Sequence, residues 1–176
     1  MIVKYLAPAL VIAVAANLAV AGDFYEQQRK KRYFEEEAAW QESALAIPAY
    51  SSQFVWAALD APIEVRSQLF IDTRSIQLAE DGVVRVTLRQ LSRNNVENIS
   101  REGVHCNERS TRSYAFADIS GQRWIEATRS VWRKVTMTDY LKRTLVNAVC
   151  PDSIAPRSEA ELIQHLQKSP SKTSPK

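Results

Sequence analysis

Between Leu69 and Ala127 one extended run follows another, with no helical period between them. The clearest is "VVRVTLRQLS", Val83 to Ser92. Successive side chains of a strand point to opposite faces, so Val84, Val86 and Leu88 share one face and Arg85, Thr87 and Arg89 the other. The pattern predicts one buried face and one solvated face. "LFID" and Ser75-Ile76 precede it, Asp81-Gly82 supplies the turn between them, and Arg93-Asn94-Asn95 supplies the next loop. Val96 to Cys106 then returns antiparallel, "RSYAFAD" continues, and "RWIEAT" follows the Ser120-Gly121 turn. Strands in direct succession imply an antiparallel meander, not a wound α/β sheet.

Helical spacing enters only afterwards. "TDYLKRTLVNAVC" places Leu141, Leu145 and Ala148 on one stripe, with Thr138 as the expected N-cap and Pro151 as the stop. "SEAELIQHLQK" predicts a second helix, with Ser158 and Glu161 in capping-box spacing. The fold class is therefore α+β, an antiparallel sheet packed by a C-terminal helix. Upstream, "AAWQESALAIPAY" sets Trp40, Leu45, Ile47 and Tyr50 around Pro48, which suggests an extended arm laid across the domain.

The N-terminus reads as an export signal. Lys4 precedes an apolar run from Tyr5 to Leu18, and Ala19-Val20-Ala21 presents small residues where a signal peptidase cuts. The alternative is an uncleaved inner-membrane anchor, because Arg29-Lys30-Lys31-Arg32 follows shortly after. The division expected is a signal peptide at 1–21, a polar leader at 22–38, a folded domain at 39–166 and a disordered tail at 167–176. The only two cysteines, Cys106 and Cys150, lie inside the exported part. An even count in an oxidising periplasm predicts one disulfide. Closing a loop of that length stabilises by about 4 kcal/mol through the unfolded chain.

Taken together these stretches resemble the cryptic neisserial protein 1-like family, small exported proteins of Gram-negative bacteria. The residues that carry the resemblance begin with Trp40, Glu42, Pro48, Phe70 to Asp72 and Ser75-Ile76, followed by "DGVVRVTL" and "NISREGVHC". Tyr114 to Phe116, Trp124, Trp132 and Cys150 complete them. The resemblance implies an envelope location and brings no reaction with it.

"ENISREGVHCNERSTRSYAF" gathers a cysteine, a histidine and several charges, yet its chemistry is thin. Adjacent on a strand, His105 and Cys106 face opposite ways and cannot chelate one ion. The chain holds two histidines in all, too few for an ordinary metal site. Four scattered glycines exclude a phosphate loop, and a net charge of +3 is too mild for nucleic acid. No catalytic residue, cofactor or metal is expected. The alternative class is an envelope hydrolase using Glu102, His105 or Glu108. Arg101, Arg109, Arg112 and Arg123 are the candidate anion-binding face, for an anionic envelope surface or an envelope protein. Arg129, Arg133 and Lys134 extend that basic group, and pairing with Glu97, Glu102, Glu108 and Glu126 is the competing use of it.

Overall fold

The computed structural model describes residues 40–44 and 46–168. The expected signal peptide and polar leader, Leu45 and the tail beyond Lys168 lie outside the described residues. Trp40 and Gln41 belong to an N-terminal unit, and the unit that begins at Glu42 holds every element below.

Seven strands form one antiparallel sheet: β1 (Trp56–Ala58), β2 (Gln68–Leu78), β3 (Val83–Leu91), β4 (Glu97–His105), β5 (Ser110–Asp118), β6 (Arg123–Glu126) and β7 (Arg133–Lys134). Strands β1 to β6 pair in chain order, the predicted meander, and β7 pairs β5 beside β6. Helices α1 (Tyr140–Val149) and α2 (Glu159–Lys168) follow, joined through a 3-10 turn at Pro151–Ser153. Three residues of β1 and two of β7 are too few to display alternation, and neither strand is visible in the sequence.

One sheet face carries the apolar core. Leu69 and Ile71 of β2, Val84, Val86 and Leu88 of β3 and Val104 of β4 pack against Leu145, Val146 and Val149 of α1 and Leu162 and Leu166 of α2. Each such side chain contributes about 1.5–3 kcal/mol when fully buried. The Cys106–Cys150 disulfide, with Cα atoms 5.6 Å apart, ties the end of α1 to the residue just past β4. The N-cap of α1 is Asp139, one residue after the expected Thr138, and its carboxylate accepts from Lys142 N at 3.0 Å. The Thr138 hydroxyl pairs with that of Thr136 instead. At α2 the Ser158 hydroxyl accepts from Glu161 N as predicted, while the Glu161 carboxylate reaches Arg157 N, not the cap's own amide.

The other face departs from the expectation. Arg85 and Thr87, assigned to the solvated side of β3, are buried, and so are Asp72 and Arg101. From Glu42 onward the described part of the arm lies over this face. Glu42 and Ser43 bond to Arg85, and the Tyr50 ring meets Trp124 edge-on at 5.6 Å. Two irregularities shape it. Between Asp72 and Gln77 the register of β2 shifts against β3. There Ser75 Oγ donates to Asp72 O and accepts from Thr87 N, and Ser75 O is freed to accept from Arg101 Nη1 at 2.6 Å. The second shift lies in the β4–β5 pairing, where Arg101 faces Ala115 but Glu102 faces Ser113. It leaves Tyr114 leaning over Gly103, where a Cβ would collide with the Tyr114 hydroxyl.

Candidate functional site

The arm-side face converges on one carboxylate. Glu42 Oε1 accepts from Arg85 Nη2 at 3.0 Å and from the Tyr114 hydroxyl; Oε2 accepts from Arg112 Nη1 and from Trp132 Nε1 at 2.9 Å. Strand β3 supplies one donor, β5 two, and the segment before β7 the fourth. Arg85 also donates to Asp81 Oδ2 at 2.9 Å and to Ser43 O at 3.3 Å. Asp81 Oδ2 in turn accepts from Ser43 N and Ser43 Oγ at 2.8 and 2.7 Å. Arg112 is steadied from behind by Ser130 Oγ at 2.8 Å, and both guanidinium groups stand over the Tyr114 ring.

These contacts fix the charge states. Burial alone would push the Glu42 carboxyl up, but hydrogen bonds from Tyr114 and Trp132 and the charges of Arg112 and Arg85 hold it below the usual carboxylate range. Asp81 is held lower still, burial being outweighed by the bonds from Arg85, Ser43 and Val83. Burial and the bond to Glu42 raise the Tyr114 phenol. At neutral pH the cluster is two carboxylates against two guanidinium groups, with a neutral phenol between them. Such an arrangement clamps and orients its central carboxylate.

Arg101 is buried beside this cluster without an ion pair among the described residues. Only 1% exposed, it donates to Ser75 O, Gln77 Oε1 and Thr87 Oγ1, none of them charged. Burial and the neighbouring Arg85 pull its pKa down to about 10. The four arginines expected to form one anion-binding face are therefore dispersed. Arg101 is enclosed and Arg112 holds Glu42. Arg109 reaches Ser153 Oγ and Asn147 Oδ1 at the end of α1, and Arg123 pairs with Asp118 at 3.1 Å.

The glutamate-histidine stretch is dispersed too. Glu102, 2% exposed, lies on the helix side, where it accepts from Ser100 and Ser113 and pairs with Lys142 of α1 at 2.9 Å. His105, an odd number of residues away on β4, takes the opposite face, its Nδ1 accepting from Glu108 N and its ring edge-on to Trp132. Glu108 is an exposed partner of Lys134, and Glu97 pairs with Arg89. Among the described residues no group of three or more His, Cys, Asp or Glu could hold a metal.

Glu42, Arg85 and Lys142 were not singled out as site residues from the sequence. The available signal is the Glu-Ser pair that follows Gln41 in a largely apolar arm.

A groove of about 330 Å³ opens on the helix side between β5, the 127–135 segment and the start of α1, lined by Ser113, Phe116, Arg129, Val131, Arg133 and Lys142. Here the sheet runs past its helical cover. Phe116 is 40% exposed, its cross-strand partner Ile125 51%, and Val131 54%. Arg129 and Arg133 make no ion pair among the described residues.

A family model described as the CNP1-like family matches residues 35–167, which takes in the arm, the whole sheet and nearly all of α2. The chain belongs to the CNP1-like family. It is also similar to cryptic neisserial protein 1 of Neisseria gonorrhoeae (strain ATCC 700825 / FA 1090), at 24% identity over 90% of this chain and 89% of that one. No solved structure matches. The CNP1-like match covers both the Glu42 clamp and the exposed groove, and it names no activity for either.

Proposed function

We propose that this CNP1-like protein is exported to the periplasm through a cleaved signal peptide and acts there by binding, docking on an anionic envelope surface. The observation that carries this reading is the uncovered end of the helix-side sheet face. Phe116, Ile125 and Val131 are exposed together, and Arg129 and Arg133 stand beside them without acidic partners among the described residues. Apolar groups beside Arg129, Arg133, Lys134 and Lys142, which outnumber the acidic Asp139 in the groove lining, fit a surface of anionic phospholipid: the side chains enter the headgroup boundary and the arginines meet phosphate. Arg123 extends this basic group, although it and Lys134 are each engaged by a carboxylate. The disulfide fits an oxidising compartment. Among the described residues no helix is long and apolar enough to cross a membrane.

The test is co-sedimentation of the purified mature chain with vesicles of phosphatidylcholine alone or mixed with phosphatidylglycerol. Binding to the mixed vesicles only, weakened by salt and lost in R129E/R133E, is the expected result. Equal binding to both vesicles, or none to either, overturns the docking reading.

A further inference from the structure

We propose that Arg85, Arg112, Tyr114 and Trp132 form a binding site for the glutamate side chain of an extended acidic peptide, filled here by the chain's own Glu42-Ser43 and open to a partner's peptide when the arm lifts. The site lies on the face opposite the groove, so the two proposals stand or fall separately.

Four donors on a single carboxylate, two of them guanidinium groups, satisfy a ligand's head group completely. The next residue is read as well. Asp81 takes both the backbone N–H and the hydroxyl of Ser43, and Arg85 takes its carbonyl. Recognition of a side chain together with the following peptide unit is how a receptor reads an extended segment. The donors stand mainly on β3 and β5, whereas the occupant belongs to irregular backbone.

Three features make the occupant exchangeable. Among the described residues, no backbone hydrogen bond joins 44–54 to the sheet; the backbone joins it at Val55, whose carbonyl accepts from Thr73 N. A cleft of about 440 Å³ lies along the arm at this point, lined by Glu42, Ile47, Arg112, Tyr114 and Ser130, so the arm is not packed flush on the strands. Finally, the charges demand a replacement. Without Glu42, Arg85 and Arg112 would face Asp81 alone, with the enclosed Arg101 close by. An empty site is costly, and a second carboxylate is its natural occupant. At the far end of the same path the Trp124 indole N–H is buried without a partner among the described residues, a donor to which a longer peptide can offer a carbonyl.

A tethered occupant competes at an effective concentration in the millimolar range, so the intact protein should bind a partner peptide weakly. The experiment uses the mature full chain and its E42A variant. The probes are a synthetic peptide of residues 40–50 and the same peptide with glutamine in place of glutamate, followed by calorimetry. The E42A chain should bind the glutamate peptide about tenfold or more tighter than it binds the glutamine peptide, and tighter than the unaltered chain binds either. Should E42A fail to fold, E42Q keeps the arm's shape and takes its place. If the folded variant binds neither peptide, or both equally, the site is overturned.

Discussion

The two faces of this sheet are held by opposite kinds of chemistry. Beneath α1 and α2, aliphatic side chains meet aliphatic side chains, and a disulfide holds the edge of the contact. Beneath the arm, guanidinium groups meet carboxylates, a phenol and an indole, and among the described residues the covering segment before β1 forms no helix or strand. The first kind of cohesion is non-directional and scales with buried area. The second depends on each partner being present, because a buried charge that loses its counter-charge keeps its desolvation cost. Alternation along β3 sorted apolar from polar side chains correctly. Polar, however, was not the same as wet.

The comparison is broken most severely on the helix side. Replacing both cysteines, C106S/C150S, should lower stability by about 4 kcal/mol, read as a shift in the urea midpoint. A much smaller loss would mean that α1 is held by packing alone. On the arm side, Arg85→Met strands Asp81 and Glu42 without their shared cation and should cost about 3 kcal/mol. Glu42→Gln should cost about 2 kcal/mol, since a charged acceptor for four donors becomes a neutral one. The double variant should cost about 1 kcal/mol less than the sum, and strict additivity would show that the clamp does not act as a unit.

The smallest effect is in pH. The Glu42 carboxyl is depressed in the folded chain, so its contribution is complete above the ordinary value of 4.5 and is lost as pH falls below it. Asp81, also depressed, loses its share below 3.8. Urea midpoints should hold steady from neutrality to about 4.5 and decline below, with a shallower decline in E42Q than in the unaltered protein. Equal slopes would remove Glu42 from the acid transition.

What the sequence made legible follows the range of each interaction. Strand order, the two helices and the Cys106–Cys150 link rest on local period, turn residues and a cysteine count, and each is present. Burial of Arg85 depends on Glu42, forty-three positions away, and no local pattern encodes that. The same holds for Glu102, whose counter-ion Lys142 arrives on a helix forty positions later. The register shift in β2 and the displaced Tyr114 are also silent, because a shift shows only when both strands are in place. Arg101 reads as a surface arginine until the freed Ser75 carbonyl is seen to receive it. The Glu-Ser pair of the arm was visible throughout, but what would receive it was not.

The ends of the sheet carry a consequence of their own. Its outermost strands in the pairing order, β1 and β6, run to three and four residues, and β7 takes up part of the β5 edge that β6 leaves open. A foreign strand that adds to a sheet needs a row of unpaired amides and carbonyls, and here the outermost strands offer only stubs. The rows of Val, Ile and Leu that build the core sit in β2 to β4, inside the pairing order, and the strands left at its two ends are the shortest of the path.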